Sequence, residues 1–128
     1  MQMSWEYLAG LFDGEGCIVV AGPGIEWRIA QNDRGRQALV DVQSFLQARG
    51  YSVAFLPNYY QYKGQQKVMY VVRVAKKADV QQICHHLLPY LRVRQLAALD
   101  AWRWLTLYPA MSNKQASLCR RRRSRAQS

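Results

Sequence analysis

The sequence predicts one α+β domain, with a four-stranded, mostly antiparallel sheet that carries helices on one face. Three observations lead to this class. The length of 128 residues suits a single domain, and half of the residues are hydrophobic, which is enough to build a core. Two pairs of strand-like segments are each joined by a short turn, as in β-hairpins. Segments with helical periodicity precede, separate and follow these pairs, so the predicted order is αββαββαα.

The first helix and the first hairpin have clear local signals. Residues 4–13 place apolar side chains at helical spacing, with Ser4 as the N-cap and two glycines, at positions 14 and 16, as the end. β-branched residues predict a strand over 17–21. Alternating apolar and polar residues predict its partner strand over 25–31, after a turn at Gly22-Pro23-Gly24.

The second helix and the second hairpin follow the same order. Asn32-Asp33 is a capping signal, and the amphipathic helix behind it ends at Gly50. Residues 51–60 and 67–75 are the third and fourth predicted strands, and the polar stretch between them, residues 62–66, is their turn.

Two helices close the domain. Asp79 is the predicted cap of a helix that runs to Pro89, and a last helix runs from Arg94 to Leu107. Residues 1–111 are therefore the predicted domain. Residues 112–128 are rich in arginine, serine and glutamine, and they predict a basic, disordered tail.

The charge of the chain favours a polyanionic partner. The formal net charge is +10, from 18 basic and 8 acidic residues. Five of these charges belong to tail arginines between positions 120 and 125, so the body alone is still +5. A basic body beneath a basic tail favours nucleic acid over an anionic membrane surface. No apolar run is long enough to span a membrane, and no signal peptide is visible, so we expect an intracellular protein.

The cysteines do not indicate a disulfide framework. There are three, Cys17, Cys84 and Cys119, and none belongs to a C-x-x-C pair. Cys84-His85-His86 could suggest zinc, but adjacent residues on a helix point apart and no second ligand cluster completes a tetrahedron. We interpret Cys84 as a core residue of a protein from a reducing compartment.

One short segment carries the chemical signal. Residues 8–16, LAGLFDGEG, stand at the end of a predicted helix and directly before a strand. This segment resembles the signature motif of the LAGLIDADG homing endonucleases, and the αββαββ order is similar to that family's order. Residues 27–31 and 88–95 also resemble family segments, so the likeness covers roughly residues 4 to 107.

The motif residues also have a direct physical interpretation. Ala9 and Gly10 have almost no side chain, so they allow two helices to approach closely. One chain has one such helix, which favours a two-fold homodimer. The predicted interface consists of Leu8, Ala9, Gly10, Leu11, Phe12 and Asp13.

Two acids follow at the end of that helix. A helix C-terminus disfavours the negative charges of Asp13 and Glu15 unless a cation compensates them. Carboxylate and phosphate oxygens are what Mg²⁺ prefers. We expect Asp13 to cap or orient the helix end of the neighbouring subunit.

The resemblance implies a homodimeric, site-specific endonuclease that cuts both strands of a near-palindromic DNA site and supports intron mobility. It implies a saddle-like sheet and a divalent metal, Mg²⁺ or Mn²⁺, held at Glu15 and Gly14. By position, Gln31 and Arg94 would complete the catalytic set by organising water around the scissile phosphate. The family has a lysine where this chain has Arg94, and arginine cannot act as a general base, so only its electrostatic role remains.

The sheet face without helices is the predicted DNA surface, since a concave sheet can follow a major groove. Arg28 or Arg73 could pair with guanine, and Glu26 could accept from cytosine. Cys17, Val19 and Ala21 would offer DNA no hydrogen bonds, which predicts fewer base contacts there. The full predicted DNA-binding set is Glu26, Arg28, Arg34, Arg36, Asn58, Tyr59, Gln61, Lys63, Gln65, Lys67 and Arg73.

Two other functions remain open at this point. The chain could be a non-cleaving DNA- or RNA-binding protein of the same fold, such as an RNA-splicing maturase. It could also be a membrane-surface protein that binds through its arginine tail, but that function leaves the motif unexplained.

Overall fold

The computed structural model describes residues 3–21 and 24–107. The predicted tail and most of the predicted Gly22-Pro23-Gly24 turn lie outside the described residues. The predicted order αββαββαα is confirmed. The described helices are α1 (Trp5–Glu15), α2 (Arg36–Gln47), α3 (Lys77–Leu87) and α4 (Gln95–Leu107). The described strands are β1 (Gly16–Ala21), β2 (Gly24–Gln31), β3 (Ala54–Tyr62) and β4 (Gln65–Val74).

The four strands form one sheet in the order β1-β2-β4-β3. Every neighbouring pair in it is antiparallel. The two hairpins therefore lie side by side and meet in the centre, where Trp27 pairs with Val74 and Gln31 with Tyr70.

The helices cover one face of this sheet, as predicted. Ile25, Trp27 and Ile29 alternate along β2 and are buried on that face, together with Val72 and Val74 of β4. None of the helices in the described part of the chain has the length and apolar character that crossing a membrane requires.

Helix α1 contains most of the segment LAGLFDGEG, and we call it the motif helix. It packs tightly on the sheet. The ring of Phe12 stacks on Trp27, with 5.2 Å between the ring centroids and an interplanar angle of 5°. At Gly16, which follows α1, a Cβ atom would lie 2.0 Å from the Phe12 ring, so this position requires glycine. The end of α1 is thereby held at the start of β1.

The second helix begins later than predicted. Asn32 does cap, but it caps a short 3₁₀ turn (Asp33–Gly35), where its side-chain oxygen accepts from the Arg34 N–H at 2.9 Å. The α-helix then starts at Arg36. Gly50 lies beyond the helix with φ of 88°, a left-handed conformation that glycine adopts without strain.

The strands of the second hairpin extend further towards its tip than predicted, so its turn is shorter. Strand β3 runs to Tyr62 and β4 starts at Gln65, which leaves a two-residue turn at Lys63 and Gly64. Both have positive φ, 51° and 76°, as in the tight turns that suit the twist of a hairpin.

The prediction that Asp79 caps α3 was wrong. The helix begins at Lys77, and Asp79 lies buried within its first turn. Its carboxylate accepts the backbone N–H of Ser52 at 2.8 Å, so it joins α3 to the segment before β3. Cys84, on the same helix, is fully buried as expected, and burial raises the pKa of its thiol to about 12.

Candidate functional site

The motif helix turns half of its predicted interface inward. Leu8, Ala9 and Phe12 have no exposed surface and belong to the core of their own chain. Side chains without exposed surface cannot contact a second subunit, so these three predictions are corrected. Gly10 is exposed, while Leu11 and Asp13 are partly exposed.

Asp13 binds a segment of its own chain that directly precedes α4. Its Oδ2 accepts from the Arg92 N–H at 2.7 Å, and its Oδ1 accepts from Val93 and Arg94 at 3.0 and 2.8 Å. These three N–H groups belong to the segment directly before α4, which begins at Gln95. Asp13 therefore ties the end of the motif helix to the basic segment 92–94.

The electrostatics of Asp13 agree with this role. Burial by itself raises the pKa of the carboxyl group. The three backbone donors and the Arg94 charge more than offset this effect and hold the pKa below its ordinary value. Asp13 is therefore ionised, and its carboxylate holds segment 92–94 in place.

Arg94 has one buried polar atom without a partner. Its Nε has no hydrogen-bond acceptor among the described residues, although its backbone N–H is bound to Asp13. An unsatisfied buried donor costs about 1–3 kcal/mol.

Glu15 and Gln31 lie at the open end of the β1–β2 hairpin, and β3 and β4 extend beyond it. Glu15 is the last residue of α1, and the next residue, Gly16, pairs with Ile29 on β2. Gln31 is two residues beyond Ile29 and ends that strand. The Gln31 side chain packs on Gly35. A Cβ atom added at Gly35 would lie 2.4 Å from Oε1 of Gln31.

The Glu15 carboxylate is available for a ligand. Glu15 is exposed, and its carboxylate makes no hydrogen bond or ion pair with the side chains of the described residues. The last turn of α1 contains no basic residue to compensate its charge. This arrangement differs from that of Asp13, whose charge is satisfied within the chain.

These residues fit a hard divalent cation. The Glu15 carboxylate and the main-chain carbonyl of Gly14 would supply oxygen ligands at a helix C-terminus, where a cation is favoured. No group of three or more His, Cys, Asp or Glu side chains in the described part of the chain could hold a metal by itself. Mg²⁺ binds commonly through one or two carboxylates together with water and phosphate oxygens.

The helix-free side of the sheet, which we call the outer face, presents polar and basic side chains. Because residues opposite each other in the register share a face, Arg28 and Arg73 lie together on it, as do Tyr60 and Lys67. Glu26 and Asn58 belong to the same face by alternation. This placement agrees with the prediction for these residues.

Tyr59 and Gln61 are placed differently from the prediction. They alternate with Asn58 and share the helix-facing side of β3 with Phe55, which pairs with the buried Val72. Their side chains therefore point away from the outer face. Tyr60 and Tyr62, which are 41% and 55% exposed on the outer face, were missed.

The remaining predicted DNA contacts differ in position. Arg36 is packed over rings of the helix-facing side, 5.5 Å from the Tyr70 centroid and 5.8 Å from that of Phe55, so its assignment to the DNA surface is corrected. Arg34 is exposed in the 3₁₀ turn. Lys63 and Gln65 are exposed at the tip of the second hairpin, with the Lys63 ammonium 5.3 Å from the Tyr62 ring centroid.

A family model described as a LAGLIDADG-like domain matches residues 3–87. The chain belongs to the LAGLIDADG family. The matched range is most of the described domain, and it contains Glu15 and Gln31 but ends before Arg94. No curated protein matches the sequence significantly.

Solved LAGLIDADG structures share the fold. The homing endonuclease I-CvuI, crystallised with an I-CreI target in the presence of Mg, has a TM-score of 0.58 and 20% identity over 83% of this chain and 68% of its own. The homing endonuclease I-TnaI has a TM-score of 0.61 and 18% identity over 83% and 74%. The LAGLIDADG meganuclease I-CpaMI, bound to uncleaved DNA, has a TM-score of 0.55 and 16% identity over 88% and 40%.

Proposed function

We propose that two copies of this LAGLIDADG chain form a homodimer that binds a near-palindromic DNA duplex and hydrolyses one phosphodiester bond in each strand with a divalent metal. The observation that carries the proposal is the uncompensated Glu15 carboxylate at the exposed end of the motif helix. Gln31 lies at the same open end of the β1–β2 hairpin, and Asp13 ties the segment that contains Arg94 to this end of the helix.

The outward side of α1 supports the proposed dimer. A Cβ at Gly10 or Gly14 would meet no atom within 4 Å, so the chain itself does not require glycine at either position. Glycine within a helix costs about 1 kcal/mol relative to alanine. A second helix packed closely against this side of α1 would explain why glycine stands at both positions.

Exposed apolar residues extend this surface. Tyr7 lies on α1, and Tyr90, Val93 and Leu96 follow on the segment that Asp13 holds against the helix end; their exposures are 40%, 45%, 72% and 78%. Exposed apolar side chains grouped in one region are typical of an interaction surface. A two-fold partner would cover the same residues on both copies.

A dimer would also provide one carboxylate for each DNA strand. Each chain contributes one Glu15, and a two-fold axis between the motif helices would bring the two copies close together. Each Glu15 would then face one of two symmetry-related phosphates. Symmetric half-sites in the DNA follow from this symmetry.

The chemistry divides among four residues. Glu15 and the Gly14 carbonyl would hold the cation, which supplies Lewis acidity towards the phosphate and lowers the pKa of a bound water. The Gln31 amide would orient water near the scissile phosphate by hydrogen bonding. The Arg94 guanidinium would stabilise the charge that develops on the phosphate oxygens. Arg94 takes up no proton, because arginine stays charged.

The test is incubation of the full chain with a randomised duplex library, with and without Mg²⁺, followed by sequencing of the cut ends. We expect cut ends at recurrent sites with two-fold symmetry, and only with the metal. Recurrent binding without any cut ends would support a nucleic-acid-binding function without cleavage. Absence of both binding and cutting would contradict the proposal.

A further inference from the structure

Three charged side chains form a cluster at the centre of the outer face. One carboxylate oxygen of Glu26 lies 4.0 Å from Nη1 of Arg28, and the other lies 3.7 Å from Nη1 of Arg73. We call these residues the Glu26 cluster. Glu26 is the only acidic residue in the four described strands.

The cluster gives both guanidinium groups defined positions without a ligand. Arg28 and Arg73 are direct register partners, and like charges at such positions repel. Glu26 offsets this repulsion because its carboxylate pairs with both. Arg28 is also held from the other side, where its Nε donates to the Sγ of Cys17 at 3.4 Å.

A carboxylate on a DNA-facing surface is unfavourable unless it meets a donor. Phosphates repel it, and most base-edge atoms in the major groove are acceptors. The amino groups of cytosine and adenine are the donors available there, whereas arginine pairs with the O6 and N7 acceptors of guanine. Glu26 and its two arginines therefore suit opposite kinds of base edge.

We propose that Glu26 is a specificity-determining residue: it directs Arg28 and Arg73 to guanines and rejects, at its own position, base edges that offer acceptors alone. The inference rests on the proposed DNA-binding function and deepens it, because it names the base pairs that the centre of each half-site selects. Glu26 thereby lowers the affinity for DNA of arbitrary sequence and increases the discrimination between base pairs.

The experiment compares duplexes selected from a randomised library by the full wild-type chain and by Glu26→Gln, without Mg²⁺. Glutamine keeps the shape and can both donate and accept, so we expect one position in each half-site to lose a preference of about tenfold for cytosine or adenine. Binding of unselected duplex should become stronger, since a negative charge near the phosphates is removed.

Two further variants separate charge from base contact. Asp41→Asn removes the same charge on α2, where Asp41 accepts from Gln37, and it should select the same sites as the wild type. Arg73→Lys keeps the charge but loses the planar fork, so it should relax one guanine position.

The outcomes distinguish the inference from the function beneath it. If Glu26→Gln selects the wild-type sites and differs only as Asp41→Asn does, Glu26 acts through net charge and the inference is overturned. If the wild type binds no duplex at all, the proposed function fails as well.

Discussion

Replacement of Asp13 tests how the motif helix is joined to the rest of the chain. In Asp13→Asn, one carboxylate oxygen becomes an NH₂ group, which faces backbone N–H donors that were bound at 2.7 to 3.0 Å. At least one of the three hydrogen bonds is lost, together with the negative charge at the start of α4. A hydrogen bond to a charged group contributes about 1.5–3 kcal/mol to stability. Because three donors share this carboxylate, we expect a loss of about 2 kcal/mol in the free energy of unfolding.

The pH dependence gives the second part of the prediction. The folded-state pKa of Asp13 is lowered, so its ionised form contributes stability at every pH above its unfolded value. This contribution is lost as the pH falls through the lower folded-state pKa. The difference in stability between wild type and Asp13→Asn should therefore be full at pH 7 and should shrink below about pH 4.

Urea unfolding followed by circular dichroism at pH 7 and at several acidic pH values measures both effects. Asp41→Asn is the matched control, because Asp41 is exposed and accepts one hydrogen bond within α2. It should lose less than about 0.5 kcal/mol. Equal stability of Asp13→Asn and wild type at pH 7 would refute the claim that Asp13 holds segment 92–94 against the end of α1.

Three other changes test the dimer, the packing of the motif helix and the tail. Gly10→Leu should abolish the proposed dimer by separating the helices, and analytical ultracentrifugation should show monomer; a wild type that is monomeric both free and on DNA would contradict the dimer. Gly16→Ala should destabilise the fold by about 1–3 kcal/mol in thermal unfolding, because the new Cβ overlaps the Phe12 ring, and an unchanged melting temperature would contradict this packing. Deletion of residues 118–128 should flatten the salt dependence of DNA binding by roughly 0.9 per lost phosphate contact without changing sequence preference, and a selective loss on one site would mean that the tail contacts bases.

Local patterns were sufficient to predict the fold class and the element order. The alternation along 25–31 predicted which side chains face the helices, and Ile25, Trp27 and Ile29 are buried accordingly. Strand β3 shows no such alternation, since tyrosines follow one another there. The faces of Tyr59 and Tyr60 became clear only from the pairing of β3 with β4.

The orientation of the motif helix could not be predicted from spacing. Apolar residues nearly surround its middle, so periodicity does not choose between a face towards the core and a face towards a partner. The partners of the two structural acids are equally remote in sequence: Asp13 binds the segment 92–94, and Asp79 binds Ser52. Both acids stand where a local cap or a metal ligand is also plausible, and only tertiary contacts decide.

The most direct test of the central claim is the rate of DNA cleavage by Glu15→Gln, measured with Mg²⁺ on a site cut by the wild type. Glutamine keeps the shape and removes the charge that holds the cation, so the account predicts DNA binding within about threefold of wild type. Cleavage should be slower by at least about a thousandfold, which corresponds to the several kcal/mol expected of a metal ligand. A variant that cuts within about tenfold of the wild-type rate would contradict the claim that Glu15 holds the catalytic metal.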